Sequence, residues 1–172
     1  MISSTFIAIT GFLLPYFSFL LYDVRANFNL LLASSLCMYA IYSLNKLADI
    51  KEDLINTPER VGFIAKYKYY ISFSVVISIF ASMFLSFSQN PFAILIILFP
   101  FLMGIFYSIK IFGFRLKDVI GVKNITVALS WAVVGTLLPL ATNPRSIILI
   151  SLVFYFFLLG YLLDLSHLML EI

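Results

Sequence analysis

The chain alternates long apolar runs with short polar breaks, and each run is near the roughly 20 residues that a bilayer crossing requires. Six runs cover about residues 3–22, 28–45, 69–87, 92–109, 124–140 and 146–172. The breaks contain turn-forming residues, as in Ser88-Gln89-Asn90-Pro91. Only a helix satisfies its own backbone in lipid over such lengths. The pattern therefore predicts an all-α, polytopic bundle of about six transmembrane helices.

Composition agrees with this pattern and excludes several classes of protein. Hydrophobic residues make up 63% of the chain and charged residues 11%, with a mean hydropathy of +1.09, whereas a soluble domain is roughly 25% charged. No basic block suggests nucleic acid as a partner. The single cysteine, Cys37, excludes an intrachain disulfide. The N-terminus lacks the features of a cleaved signal peptide, so we expect the first run to remain as a membrane helix.

Lysine and arginine are distributed unevenly between the polar breaks. Nine of the eleven follow the second and fourth runs: Lys46, Lys51, Arg60, Lys66, Lys68, Lys110, Arg115, Lys117 and Lys123. Arg25 and Arg145 lie in breaks on the opposite face. Because positive charge accumulates in cytoplasmic loops, this bias places the two basic breaks in the cytoplasm. We expect a multi-pass protein of the cell membrane with both termini in the cytoplasm.

A polar stripe begins where the second run ends. Asn45, Asp49 and Asp53 are spaced by four residues, so a helix places them on one face at intervals of about 6 Å. Oxygen ligands of this kind suit Mg²⁺, which usually takes one or two carboxylates together with water and substrate phosphate. A solvated helix end is the alternative, and the spacing alone does not decide between them.

The break after the fourth run combines a tyrosine with four cations: Tyr107, Lys110, Arg115, Lys117 and Lys123. These side chains suit a diphosphate, and they equally suit anchoring to lipid headgroups. Since both basic breaks are expected on the same face, the stripe and this second break are positioned to share one anionic ligand.

Two further features remain in the last two runs. Asp164, His167 and Glu171 share a helical stripe, which suggests either a metal or proton site or a solvated helix end. Solvation is the preferred interpretation for His167, and the role of Asp164 stays open. Trp131 in the fifth run is interpreted as a packing residue.

The pattern Asn45-x-x-x-Asp49-x-x-x-Asp53 resembles the first aspartate-rich motif of the UbiA superfamily of intramembrane prenyltransferases. Further similarity to the family lies in Asn56-x-Pro58-Glu59-Arg60, Tyr107-Ser108-x-Lys110, Lys123-Asn124 and Trp131. One departure is Lys46, which stands where many members have another aspartate. Together these segments extend the resemblance over nearly the whole chain.

The resemblance implies a Mg²⁺-dependent enzyme that transfers an isoprenyl group from an isoprenyl diphosphate to an aromatic or lipid acceptor. In this reading Asn45, Asp49 and Asp53 hold Mg²⁺, and Asp49 and Asp53 are the catalytic residues. The diphosphate is contacted by Tyr107, Lys110, Arg115, Lys117 and Lys123. Membrane lipid surrounds the bundle and leaves its cavity accessible to the isoprenyl tail.

Family members typically have nine membrane helices and a second aspartate motif beyond the sixth helix, whereas this sequence stops at residue 172. We therefore expect residues 1–172 to form a single membrane-embedded domain, incomplete at its C-terminus, which an oligomer or a complementing C-terminal fragment would complete. A truncated, catalytically inactive or partner-dependent membrane subunit is the main alternative. A transporter using Asp164 and the stripe is weaker, because the first, third, fourth and fifth runs carry almost no ionisable groups.

Overall fold

The computed structural model describes residues 2–50, 53–54, 58–110, 113–119, 121–143, 154 and 158. Five long helices dominate this part of the chain: α1 (Ile2–Leu21), α2 (Phe28–Ala48), α4 (Lys68–Gln89), α5 (Pro91–Ser108) and α6 (Val122–Leu137). A short helix, α3 (Pro58–Lys66), precedes α4, and 3-10 turns cover Leu116–Asp118 and Leu138–Ala141. No β-strand occurs among the described residues, which confirms the predicted all-α fold class.

The five long helices, with α6 continued through its 3-10 turn to Ala141, are long and apolar enough to cross a membrane. Their limits agree with the first five predicted runs to within about three residues. The sixth predicted run lies outside the described residues apart from positions 154 and 158, which are helical. The proposed features at Asp164, His167 and Glu171 also lie outside them.

Local sequence explains where these helices begin. Asn27 caps α2, since its side chain accepts hydrogen bonds from the backbone amides of Asn29 and Leu30. Asn90 caps α5 in the same way, and Pro91 follows at the first helical position. Pro58 is the first residue of α3, where the amide donor that proline lacks would have no partner within the helix.

α2 packs against three neighbours, α1, α4 and α5, and forms the centre of the bundle. Serine hydroxyls cross between helices: Ser34 donates to the Gly11 carbonyl of α1 at 2.6 Å, and Ser82 of α4 donates to the Ala33 carbonyl at 2.7 Å. Such bonds contribute about 0.6 kcal/mol each in membrane proteins. They hold α2 at a defined depth relative to both neighbours.

The two ends of the bundle differ in charge. At one end the C-terminus of α2 meets the N-terminus of α1 through Lys46 and Ser4, and the end of α5 through Asn45 and Ser108. The other end is joined by the hydrogen bond between Asn27 and Gln89. Among described positions, the lysines and Arg115 belong to the first end and Arg25 to the second. The assignment of the first end to the cytoplasm stays a prediction.

Candidate functional site

The polar stripe forms by continuation of helical hydrogen bonding past the end of α2. The Asp49 amide donates to the Asn45 carbonyl at 3.0 Å, and the Asp53 amide donates to the Asp49 carbonyl at 2.9 Å. Each predicted stripe residue is therefore bonded through the backbone to the next. The predicted spacing of Asn45, Asp49 and Asp53 on one face is present in the structure.

The loop between α5 and α6 brings the cations to this stripe. It leaves α5 through the extended backbone of Ile109, forms a 3-10 turn at Leu116–Asp118 and enters α6 through Gly121. Gly121 has a φ of 84°, a left-handed conformation that glycine adopts without strain. Through this reversal the loop lies against α5 and α6 and reaches the end of α2.

Asp49 is the centre of an ion cluster. The Lys117 ammonium donates to Asp49 Oδ1, and Arg115 Nη1 lies 3.6 Å from the same oxygen. Arg115 also donates through Nε and Nη2 to the carboxylate of Asp118, at 3.1 and 2.7 Å. This hydrogen bonding from Arg115 lowers the pKa of Asp118 below its usual value. The two carboxylates explain how the Arg115 guanidinium is tolerated at 7% exposure.

Asn45 and Tyr107 connect the cluster to the interior. The Asn45 side-chain oxygen accepts a hydrogen bond from Ser108 Oγ at 3.1 Å. Tyr107 precedes Ser108 in α5 and lies within electrostatic reach of Lys117, Asp49 and Arg115. Both Asn45 and Tyr107 also line a pocket that extends away from the cluster into the bundle.

This pocket lies between α2, α5 and α6 and has a cavity volume of about 80 Å³. Hydroxyl and amide groups lie near its mouth, and apolar side chains lie deeper. In the wall, Trp131 Nε1 donates to the Tyr42 hydroxyl at 3.0 Å. The lining residues are Met38, Ile41, Tyr42, Asn45, Pro100, Met103, Gly104, Tyr107, Thr126, Val127, Ser130 and Trp131.

The predicted site residues do not all contact one another. Arg115 and Lys117 converge on Asp49. Asp53 lies one turn beyond Asp49, and its Oδ2 atom is shielded from solvent. Lys110 is exposed and acts electrostatically on Asp118, while Lys123 is exposed in the first turn of α6. The catalytic, metal-binding and diphosphate-binding roles of these residues stay predictions.

Several lining residues escaped the sequence-based selection. Tyr42 and Met38 lie three and seven residues before Asn45. They therefore lie on the same face of α2 as the polar stripe, further toward the interior. Extending the stripe backward along α2 would have identified both. Ser130 gave no comparable signal, because its place in the wall depends on how α6 packs against α5.

The donor chemistry of the stripe fits Mg²⁺. It offers the carboxylates of Asp49 and Asp53 and the amide oxygen of Asn45, and Mg²⁺ needs only one or two carboxylates beside water and phosphate. In the part of the chain that the structure describes, no group of three or more histidine, cysteine, aspartate or glutamate side chains is placed to hold a metal.

Among known proteins, no family model matches the chain, and neither a curated protein nor a solved structure matches it.

Proposed function

We propose that the protein is an intramembrane prenyltransferase similar to the UbiA superfamily, transferring an isoprenyl group from its diphosphate to an aromatic or lipid acceptor with Mg²⁺. The observation that carries the proposal is the meeting of the acidic stripe and the basic loop at the mouth of an apolar pocket. A ligand with an anionic, metal-binding head and an apolar tail is complementary to both parts at once.

The head would lie at the ion cluster. Asn45, Asp49 and Asp53 would hold Mg²⁺, which when bound neutralises the charge that develops on the departing diphosphate. Arg115 and Lys117 supply donors for the diphosphate oxygens, where charge-assisted hydrogen bonds are strongest. Tyr107 lies within electrostatic reach of Lys117 and Arg115 and provides a further hydroxyl donor.

The existing ion pairs are compatible with binding because the ligand offers a partner to each charge. Asp49 neutralises Lys117 and lies near Arg115. Asp49 would then hold Mg²⁺ in place of Lys117, and Arg115 and Lys117 would hold the diphosphate. The exchange leaves no partly buried charge uncompensated, which would otherwise cost several kcal/mol.

The pocket would hold the reacting end of the isoprenyl chain. Cleavage of its carbon–oxygen bond leaves the electron pair on the diphosphate and positive charge on the allylic carbon, which the faces of Tyr42 and Trp131 can stabilise. The acceptor then supplies the electron pair of the new bond and loses a proton. Apolar walls limit the water that would compete with the acceptor.

The proposal is tested by binding, with the Asp49→Asn variant as the decisive change. The purified chain is titrated with a non-hydrolysable isoprenyl diphosphate, with and without Mg²⁺, by isothermal calorimetry. We expect binding to require Mg²⁺ and to weaken about ten- to hundredfold in Asp49→Asn, the value of a charge-assisted interaction.

Asp23→Asn is the matched control, because Asp23 is exposed at the other end of the bundle and asparagine tolerates its φ of 50°. Binding that is independent of Mg²⁺ and unchanged in Asp49→Asn would refute the proposal.

A non-catalytic, partner-dependent membrane subunit is the second candidate. The observation that favours it is the pairing of Asp49 with Lys117, since a site whose charges are already matched also serves as a structural clasp. In that case Asp49→Asn lowers the stability of the bundle, and no diphosphate binds to the unaltered protein.

A further inference from the structure

The pocket beneath the ion cluster has a measurable depth. Its mouth is marked by Asn45 on α2 and Tyr107 on α5, and its far end by Met38 and Pro100 on the same two helices. Each pair is separated by seven residues, which corresponds to about 10 Å along a helix axis. The residue spacings on α2 and on α5 therefore correspond to the same depth of the pocket.

The far end is closed by packing that leaves little room for movement. Met38 is 1% exposed, and a Cβ added to Gly11 of α1 would lie only 3.0 Å from its Cβ and Cγ atoms. Met38 thus lies directly against the α1 backbone. On the facing helix, the Pro100 side chain is fully buried. Within the described part of the chain, a ligand that reaches Met38 meets the backbone of α1 on this line.

The middle of the pocket is constrained by the approach of α2 to α5. Ile41 fills the space at Gly104, since a Cβ added there would lie 2.6 Å from Ile41 Cγ2. Ile41 is β-branched and has little rotamer freedom in a helix. The wall is thus formed by a stiff side chain held against backbone, and it does not widen readily.

Chain length can be compared with this depth. Three backbone bonds of an extended peptide span at most about 3.6 Å, so the four main-chain bonds of an isoprene unit span about 5 Å. A depth of about 10 Å then corresponds to about two units beyond the mouth.

We infer that Met38 limits the length of the prenyl chain, so that the site takes a short isoprenyl diphosphate, of geranyl to farnesyl length, in preference to a long polyprenyl diphosphate. This inference rests on the proposed function, because it assigns the pocket to the tail of a ligand whose head lies at Asp49. It adds a specificity-determining residue and a narrower substrate class.

The pocket contains its own reporter, since Trp131 lines it and is the only tryptophan in the chain. Its fluorescence is followed while the protein in lipid nanodiscs, with Mg²⁺, is titrated with thiolodiphosphate analogues of geranyl, farnesyl, geranylgeranyl and solanesyl chains. Ligand concentration is expressed relative to lipid. We expect the affinity to be highest for the geranyl or farnesyl analogue and about tenfold lower for longer chains. The extra apolar groups of a longer chain would have to be forced into a packed site.

In Met38→Ala, the fall in affinity should begin at chains at least one isoprene unit longer than in the wild type. In Met38→Phe, it should begin at shorter chains. Met83→Ala is the matched control, because Met83 packs against the core from α4 and does not line the pocket. If Met38→Ala does not fold, the dependence of affinity on chain length is compared between Met38→Phe and Met38→Leu instead.

Two outcomes overturn the inference on its own: affinity that stays level or rises through the solanesyl analogue, or a Met38→Ala profile equal to that of Met83→Ala. In both, the short analogues still bind in a manner that requires Mg²⁺ and Asp49, so the proposed function stands. If no analogue binds in that manner, the proposed function fails and this inference fails with it.

Discussion

At the scale of single residues, the ion cluster shows how a charged side chain is accommodated at the edge of an apolar bundle. Arg115 is buried and Asp118 is more exposed, with 41% of its side chain accessible. The planar guanidinium reaches Asp118 through two nitrogens while its third lies toward Asp49. Asp118 therefore positions the Arg115 guanidinium so that its Nη1 atom lies toward Asp49 of the stripe.

Asp118→Asn should lower the thermal unfolding midpoint at neutral pH, because the asparagine no longer matches the guanidinium charge. Because Arg115 lowers the pKa of Asp118 in the folded state, the stabilisation is present above the unfolded value of about 3.9 and is lost as pH falls through the folded value. The midpoints of the wild type and Asp118→Asn should thus differ at pH 7 and converge at the acid end of the series. Equal midpoints at every pH would contradict this role.

At the scale of helices, α2 and α5 are held close by a glycine. Gly104 of α5 is buried, and Ile41 of α2 occupies the place where a side chain would be. Close approach through small residues is a common way for membrane helices to gain van der Waals contact. Since both residues line the pocket, this contact also determines its width.

Gly104→Ala should destabilise the protein by about 1–3 kcal/mol, since the new methyl group meets a stiff β-branched side chain and the helices must separate. Removing the obstacle in the double variant Gly104→Ala, Ile41→Ala should recover part of that loss. Chemical denaturation in detergent measures both.

Gly62→Ala supplies the control for the helix propensity of alanine. No atom lies within 4 Å of a Cβ at Gly62, which is exposed in α3, so this change should stabilise by up to about 1 kcal/mol. If Gly104→Ala behaved like Gly62→Ala, the close contact would not be a determinant of the bundle.

At the scale of the whole molecule, charge and polarity differ between the two ends of the bundle. The end that contains the ion cluster carries most of the described cations, including the exposed Lys66, Lys68 and Lys110. The other end is formed by neutral polar contacts such as Asn27 with Gln89 and Asn90 with the Ala141 carbonyl. Under the positive-inside rule this polarity predicts that the cluster opens toward the cytoplasm.

Single-cysteine labelling tests this orientation in a Cys37→Ser background, a conservative change at a thiol that donates to the Ile97 carbonyl. An impermeant maleimide added to intact cells should label Ser88→Cys. It should label Lys110→Cys only after permeabilisation, and both positions are exposed. The reverse pattern would place the candidate site on the outer face and remove its access to cytoplasmic diphosphates.

Much of the fold was determined by sequence alone, for a physical reason that acts locally. A backbone in lipid must satisfy its own hydrogen bonds, so the length of each apolar run and the polar residues around it specify a helix and its ends. Asn27, Pro58 and Asn90 are recognisable as helix starts without any tertiary contact. The spacing of the stripe follows equally from the helical repeat.

Tertiary structure decided which predicted partners meet and what lies beneath them. The sequence places four cations in the loop between α5 and α6, but it does not say which of them reach the stripe. The path of the loop through its 3-10 turn and Gly121 brings Arg115 and Lys117 to Asp49. Lys110 and Lys123 are exposed. The depth of the pocket likewise follows from packing of α1 behind Met38. Such contacts depend on the distance and rotation between helices, which apolar periodicity leaves open because lipid and protein interiors accept the same side chains.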